Sequence, residues 1–194
     1  MTSDVVLRFA KYMFGKWDLK IVNKDSSKLM HFIGWFLQLI RIMTKKEFME
    51  NYTTTMFGKV YLNFELGNLE QRSGISQMAL ITHESEHRRQ CIRDSSWLWR
   101  LGYLFSEKRR TCYEMVAYGS TMKIKYTIGK EMPDIEKYIN KLKPYRCNKY
   151  LDMARDYFEF VVANLNNDTY DTEIEIDAKQ WIKNEMLPHT RRSC

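Results

Sequence analysis

Apolar positions recur at helical spacing from the start of the chain. Val5, Val6, Phe9, Ala10, Met13 and Phe14 share one face, with Ser3 or Asp4 placed to cap a first helix and Gly15 and Trp17-Asp18 to end it. After Asp25-Ser26-Ser27 comes the most hydrophobic run of the protein, Leu29 to Met43. It is apolar nearly all round, which predicts a second helix buried in the core. It falls short of the ~20 apolar residues that a bilayer span takes and it carries His31 and Arg41, so no membrane span is expected. His31 itself reads as a core or boundary histidine.

The period then changes. Thr53-Thr54-Thr55 and Val60-Tyr61-Leu62-Asn63-Phe64-Glu65 are β-branched and aromatic with apolar-polar alternation, and Gly58 sits where a tight reversal is needed. The pattern predicts a short hairpin with Val60, Leu62 and Phe64 towards the core and Tyr61, Asn63 and Glu65 away from it. Gly67-Asn68 closes it. Helical spacing returns with Ser76 as a cap and continues to about Ile92. The stretch Trp97 to Phe105 is too apolar for a free loop and is expected to pack under or beside its neighbours. Further helices are predicted from Ser106 to about Met122, from Asp134 to Leu142, and from near Asn148 to Leu165. A short last helix lies around Trp181, after the acid-rich stretch Asp171 to Asp177. The expected class is α+β and predominantly helical. One domain is expected over residues 1–194, with a core over about 29–125 and a helical extension over about 133–194.

The chemistry concentrates in one predicted helix. His83-Glu84-Ser85-Glu86-His87 is a His-Glu-x-x-His pattern, and it holds two of the chain's four histidines. Positions i and i+4 lie one turn apart on a helix, so His83 and His87 can aim ring nitrogens at one point. Glu84 follows the first histidine, where a carboxylate can reach a water held by a metal at that point. A catalytic zinc takes three protein ligands and keeps a fourth position for water. Glu114, in the middle of the next long helix among Tyr113, Val116, Ala117 and Tyr118, is the candidate third ligand. Buried there without a partner, a carboxylate would be costly, and a metal removes that cost. The other reading pairs Glu114 with Arg110 at i−4 on a helix surface. Tyr118, one turn past Glu114, is a candidate donor to developing negative charge, or else a tyrosine that bonds a ligand carboxylate.

Composition changes this picture little. Gly and Pro are scarce, aromatics abundant, and the net charge is +7, with Lys and Arg dispersed among acids rather than gathered in runs. A nucleic-acid partner is therefore the weaker expectation. Cys91, Cys112, Cys147 and Cys194 form no CxxC pair, and no secretory signal follows Met1, so free thiols in a reducing cytoplasm are expected.

Taken together, the Thr-rich strand, then His-Glu-x-x-His-x-x-Gln, then Tyr-Glu-x-x-Ala-Tyr at residues 113–118 resemble the gluzincin branch of zincin metallopeptidases. More narrowly they resemble small zincin-like proteins of bacteriophage genomes. The resemblance spans roughly Leu29 to Met122. It implies Zn²⁺ held by His83, His87 and Glu114, peptide hydrolysis with Glu84 as general base, and a peptide or protein substrate that adds as a strand to the hairpin. If phage-encoded, the chain is expected in the host cytoplasm or associated with the virion. A non-catalytic virion or host-interaction protein that keeps the zincin scaffold is the alternative, and a basic DNA-associated protein a third.

Overall fold

The amphipathic N-terminal stretch forms α1, Ser3–Lys16, with Val6, Phe9, Ala10, Met13 and Phe14 buried. The computed structural model describes residues 1–39, 41 and 43–186. The chain is α+β and mostly helical, and it divides into two compact units, Met1–Gln77 and Met78–Cys194.

In the first unit α1 is followed by β1 (Lys20–Asn23), α2 (Lys28–Leu39), α3 (Lys45–Asn51), β2 (Thr54–Met56) and β3 (Lys59–Leu62). The expected hairpin is present: β2 and β3 pair antiparallel, joined through Phe57 and Gly58. Both of these have positive φ, 55° and 69°. Such a two-residue turn matches strand twist, and glycine tolerates it without strain. The sequence pattern gave no sign of β1, a four-residue strand that pairs parallel with β3. The sheet order β1-β3-β2 makes β3 the central strand. That explains a departure from the expected alternation: Val60, Tyr61 and Leu62 are all buried, because a central strand covered on both faces has no outward side. Tyr61 joins Met30, Phe48 and Met49 in one core cluster. Lys24 is fully buried, its Nζ donating to the carbonyls of Phe48 and Tyr52 at 2.6 Å each, where it satisfies the end of α3.

The apolar helix α2 is not the buried core helix its composition suggests. Only Met30 and Gly34 are buried, whereas Phe32 is 60% exposed, Trp35 52% and Leu39 61%. One face is enough to pack on α3, and the unit supplies no second layer over the other. The expected continuation of this helix to Met43 runs through residues 40 and 42, which lie outside the described residues.

Helix α4, Gly74–Arg93, contains the boundary between the units. Its first turn is capped by Ser73, whose hydroxyl accepts from the Ser76 amide, rather than by Ser76. The aromatic stretch is itself a helix, α5 (Ser96–Phe105), with Trp99 and Gly102 buried. Helix α6 (Glu107–Gly129) runs two turns beyond the expected end and forms the axis of the second unit, with α5, α7 (Ile135–Leu142), α8 (Leu151–Ala163) and α9 (Glu173–Glu185) packed on it. Met122, Tyr138, Ile139, Leu142, Cys147, Ala154, Phe158, Val161 and Leu165 form its apolar core. Gly119 lets α8 approach closely, since a Cβ there would stand 2.9 Å from the Tyr157 ring.

A buried polar network fastens α9 to α6 and α4. Thr172 caps α9 in a reciprocal capping box with Glu175. Glu175 accepts from Ser120 Oγ at 2.7 Å and from Lys123 Nζ at 2.8 Å, and Lys123 also reaches Asp171 at 3.0 Å. The Thr172 hydroxyl donates to Glu86 at 3.2 Å, and Glu86 in turn holds Arg89. Two of the acids read as a polar lead-in to the last helix, Asp171 and Glu175, are therefore structural anchors.

Candidate metal centre

From Ile81 to His87 every residue of α4 is buried, although six of the seven are polar: Thr82, His83, Glu84, Ser85, Glu86 and His87. Polar groups withdrawn from water need partners, and following those partners defines the site.

Glu86 is accounted for by Arg89 and Thr172. His83 and His87 stand one turn apart, their rings edge to face with centroids 4.8 Å apart. Both direct Nε2 at Glu114 of α6, which is only 1% exposed: His87 to Oε1 at 3.5 Å and His83 to Oε2 at 3.8 Å. One ligand atom from each of the three residues lies within 4.8 Å of the others. Ligands about 2.1 Å from a tetrahedral zinc are about 3.4 Å from one another; the two histidine–carboxylate distances, 3.5 and 3.8 Å, are near that edge, and the group as a whole is wider, within 4.8 Å.

The far side of each ring sets its tautomer. Gln90 donates through Nε2 to the Tyr113 carbonyl at 3.0 Å, which turns its Oε1 towards His87 Nδ1 at 3.1 Å. The amide oxygen thus faces His87 Nδ1 as an acceptor, and Nε2 is the ring nitrogen directed at Glu114. Thr121 donates its hydroxyl proton to the Ala117 carbonyl at 3.1 Å, leaving its oxygen to accept from His83 Nδ1 at 3.4 Å. This is the arrangement in which outer hydrogen bonds aim histidines at a metal.

Burial and mutual charge shift the ionisable groups of the site. Burial drives the His83 imidazole well below its ordinary pKa, helped by His87 and Lys141. Burial also acts to lower His87, but the Glu114 and Glu84 carboxylates, the Gln90 hydrogen bond and Glu86 together offset it and the net shift is upward. Burial raises Glu114, against the pull of His87, Tyr103 and Arg110. One carboxylate oxygen, Oε1, accepts from the Tyr103 hydroxyl at 2.5 Å; the other, Oε2, is buried with no hydrogen-bond partner. A cation between Oε2 and the two Nε2 atoms would satisfy all three at once.

The surface-pair reading of Glu114 does not hold. Arg110 donates instead to the carbonyls of Tyr145 at 2.6 Å and Tyr103 at 2.7 Å, fixing the chain around the site. Glu84 is 3% exposed and lies beside His87, whose charge it favours. Tyr118 lies with its ring centroid 4.7 Å from that of His83, and Tyr145 hydrogen-bonds to it. The tyrosine on the ligand carboxylate is Tyr103, on α5. Trp99 on the same helix stands 6.0 Å from the His87 ring. The apolar stretch expected beside its neighbours thus walls the site.

Sequence reasoning brought together His83, Glu84, His87, Glu114 and Tyr118, and the structure places all five in one neighbourhood. It missed Tyr103, Thr121 and Gln90. Gln90 and Thr121 had a signal in their spacing, three residues past His87 and seven past Glu114 on their helices. Tyr103 had none, because its contact depends on how α5 turns back onto α6. Cys91, Cys112 and Cys147 are free thiols, and Cys194 lies outside the described residues. No helix among the described residues is long and apolar enough to cross a membrane. In comparisons with protein-family models, curated proteins and solved structures, no match to this chain was found.

Proposed function

We propose that this protein is a zinc-dependent, gluzincin-like metallopeptidase in which His83, His87 and Glu114 hold Zn²⁺ and Glu84 serves as general base on a peptide substrate. The observation that carries the reading is the convergence of two histidine Nε2 atoms on a buried carboxylate whose Oε2 has no other partner. When bound, zinc supplies Lewis acidity to a carbonyl and a water of lowered pKa. The residues do the rest. Gln90 and Thr121 hold the imidazoles as Nε2 ligands. Tyr103 restrains the carboxylate. Glu84, adjacent to the first ligand, takes the proton of the attacking water and delivers it to the leaving amine. Tyr118, against the His83 ring, is the candidate donor to the carbonyl oxygen as it gains charge.

One observation favours a second reading, a phage virion or host-interaction protein with a metal-stabilised scaffold. His83, Glu84 and His87 are 6%, 3% and 7% exposed, little access for a peptide. Zinc analysis together with a proteome-wide cleavage screen of wild type against Glu84→Gln separates the two. About one zinc per chain in both proteins, with cleavage by wild type only, is the result expected of a peptidase. Zinc in both with identical peptide profiles would assign the scaffold role, and absence of zinc would overturn the site.

A further inference from the structure

The exposed side of α2 is organised. Leu29, Phe32, Trp35, Phe36 and Leu39 recur at i, i+3, i+4 spacing and are 37%, 60%, 52%, 47% and 61% exposed. The opposite side, Met30, Ile33, Gly34 and Leu37, packs with Phe48 and Met49 of α3 and with Tyr61 of β3, or closely against them. Phe32 and Trp35 lie with ring centroids 6.0 Å apart and make a continuous aromatic surface. Isolated exposed apolar residues need no explanation, but a stripe of five along one helix does.

The charge around the stripe is mainly of one sign, with Asp25 and Glu47 the acids that bound it. Residues 26 to 46 contain Lys28, Arg41, Lys45 and Lys46 and no Asp or Glu. Lys28, Arg41 and Lys46 are exposed, at the two ends of the stripe. A helix with Trp, Phe and Leu on its free face and basic residues at its ends suits the headgroup–acyl boundary of an anionic bilayer. It is too short to span one.

We propose that α2 is an interfacial anchor that seats the protein on an anionic lipid surface, with Phe32, Trp35 and Phe36 entering the acyl boundary and Lys28, Arg41 and Lys46 meeting the headgroups.

The test is vesicle co-sedimentation of the full chain at two salt concentrations. The vesicles are phosphatidylcholine alone or phosphatidylcholine with one-third phosphatidylglycerol. Wild type is expected to sediment with the anionic vesicles, less so at high salt. Phe32→Ser/Trp35→Ser/Phe36→Ser should weaken this by tenfold or more, with an unchanged far-UV circular dichroism spectrum because all three side chains face solvent. Lys28→Glu/Lys46→Glu should cost about tenfold or more and abolish the lipid preference. A Lys108→Glu/Lys130→Glu control makes the same charge change away from α2 and should retain most of the binding. Equal binding by wild type and the triple variant would overturn the proposal. So would absence of binding to the anionic vesicles, and a self-association that the triple variant removes would then make the stripe a contact between copies.

Discussion

The Tyr103 hydroxyl donates to Oε1 of Glu114 at 2.5 Å, while Oε2 of the same carboxylate turns to His83 without a hydrogen bond. One oxygen is thus held by α5, and the other is the one that would meet the proposed cation. Burial raises the Tyr103 pKa well above its ordinary value, so the hydroxyl remains a donor wherever the protein is folded. Replacing it with Phe keeps the ring and removes only the restraint. Tyr103→Phe is expected to bind zinc with unchanged stoichiometry and about 10- to 100-fold lower affinity, read by competition with a chromophoric chelator. Unchanged affinity would show that α5 plays no part in orienting the ligand.

Removing metal should destabilise the protein. Without a cation, Glu114 Oε2 is a buried acceptor with nothing to accept from. Chelation is expected to lower the thermal midpoint and added zinc to restore it. Free zinc at a hundred times its Kd corresponds to about 2.7 kcal/mol. Glu114→Ala should remove the response to zinc, and Glu84→Gln should keep it.

Lys123 is 2% exposed and compensates two carboxylates, Glu175 and Asp171. Without Lys123, Asp171 keeps Lys179 at 2.7 Å, but buried Glu175 loses its cation. Lys123→Met is therefore expected to cost about 3–5 kcal/mol in denaturant unfolding. Because the same network anchors α9 to α6, the loss should appear first as exchange of α9 amides in hydrogen-exchange measurements.

Asp94 gives the acid dependence a definite sign. Its hydrogen bond from Arg93 holds its pKa below the ordinary 3.8, and a hydrogen bond from Tyr113 on α6 adds to this. A carboxyl with a depressed folded pKa contributes stability that is present above its unfolded pKa and is lost as pH falls through the folded one. The difference in thermal midpoint between wild type and Asp94→Asn should accordingly be constant near neutrality and shrink below about pH 3.8. The pair is partly exposed, so the difference should amount to about 1 kcal/mol or less. A difference that grew on acidification would contradict the assignment.

Much of the candidate site was legible because its geometry is local. His83, Glu84, His87 and Gln90 lie on one helix, and Glu114, Tyr118 and Thr121 on another, so periodicity alone places each set on a shared face. The hairpin was legible for the same reason, as alternation broken by a glycine at the turn. Strand β1 was not, since four residues paired parallel to a strand far along the chain carry no alternation of their own.

Local spacing and residue chemistry therefore determined the elements and the identity of the candidate ligands. Packing decided what surrounds them. Whether α2 is core or surface depends on how many layers cover it, and composition does not count layers. Whether the carboxylate at 114 pairs with Arg110 or faces two histidines depends on the rotation of α6 against α4 and on α5 folding back to place Tyr103. His-Glu-x-x-His supplied the donor atoms at one turn's separation. Their shared burial, with one carboxylate oxygen left unsatisfied, arises only from the crossing of three helices.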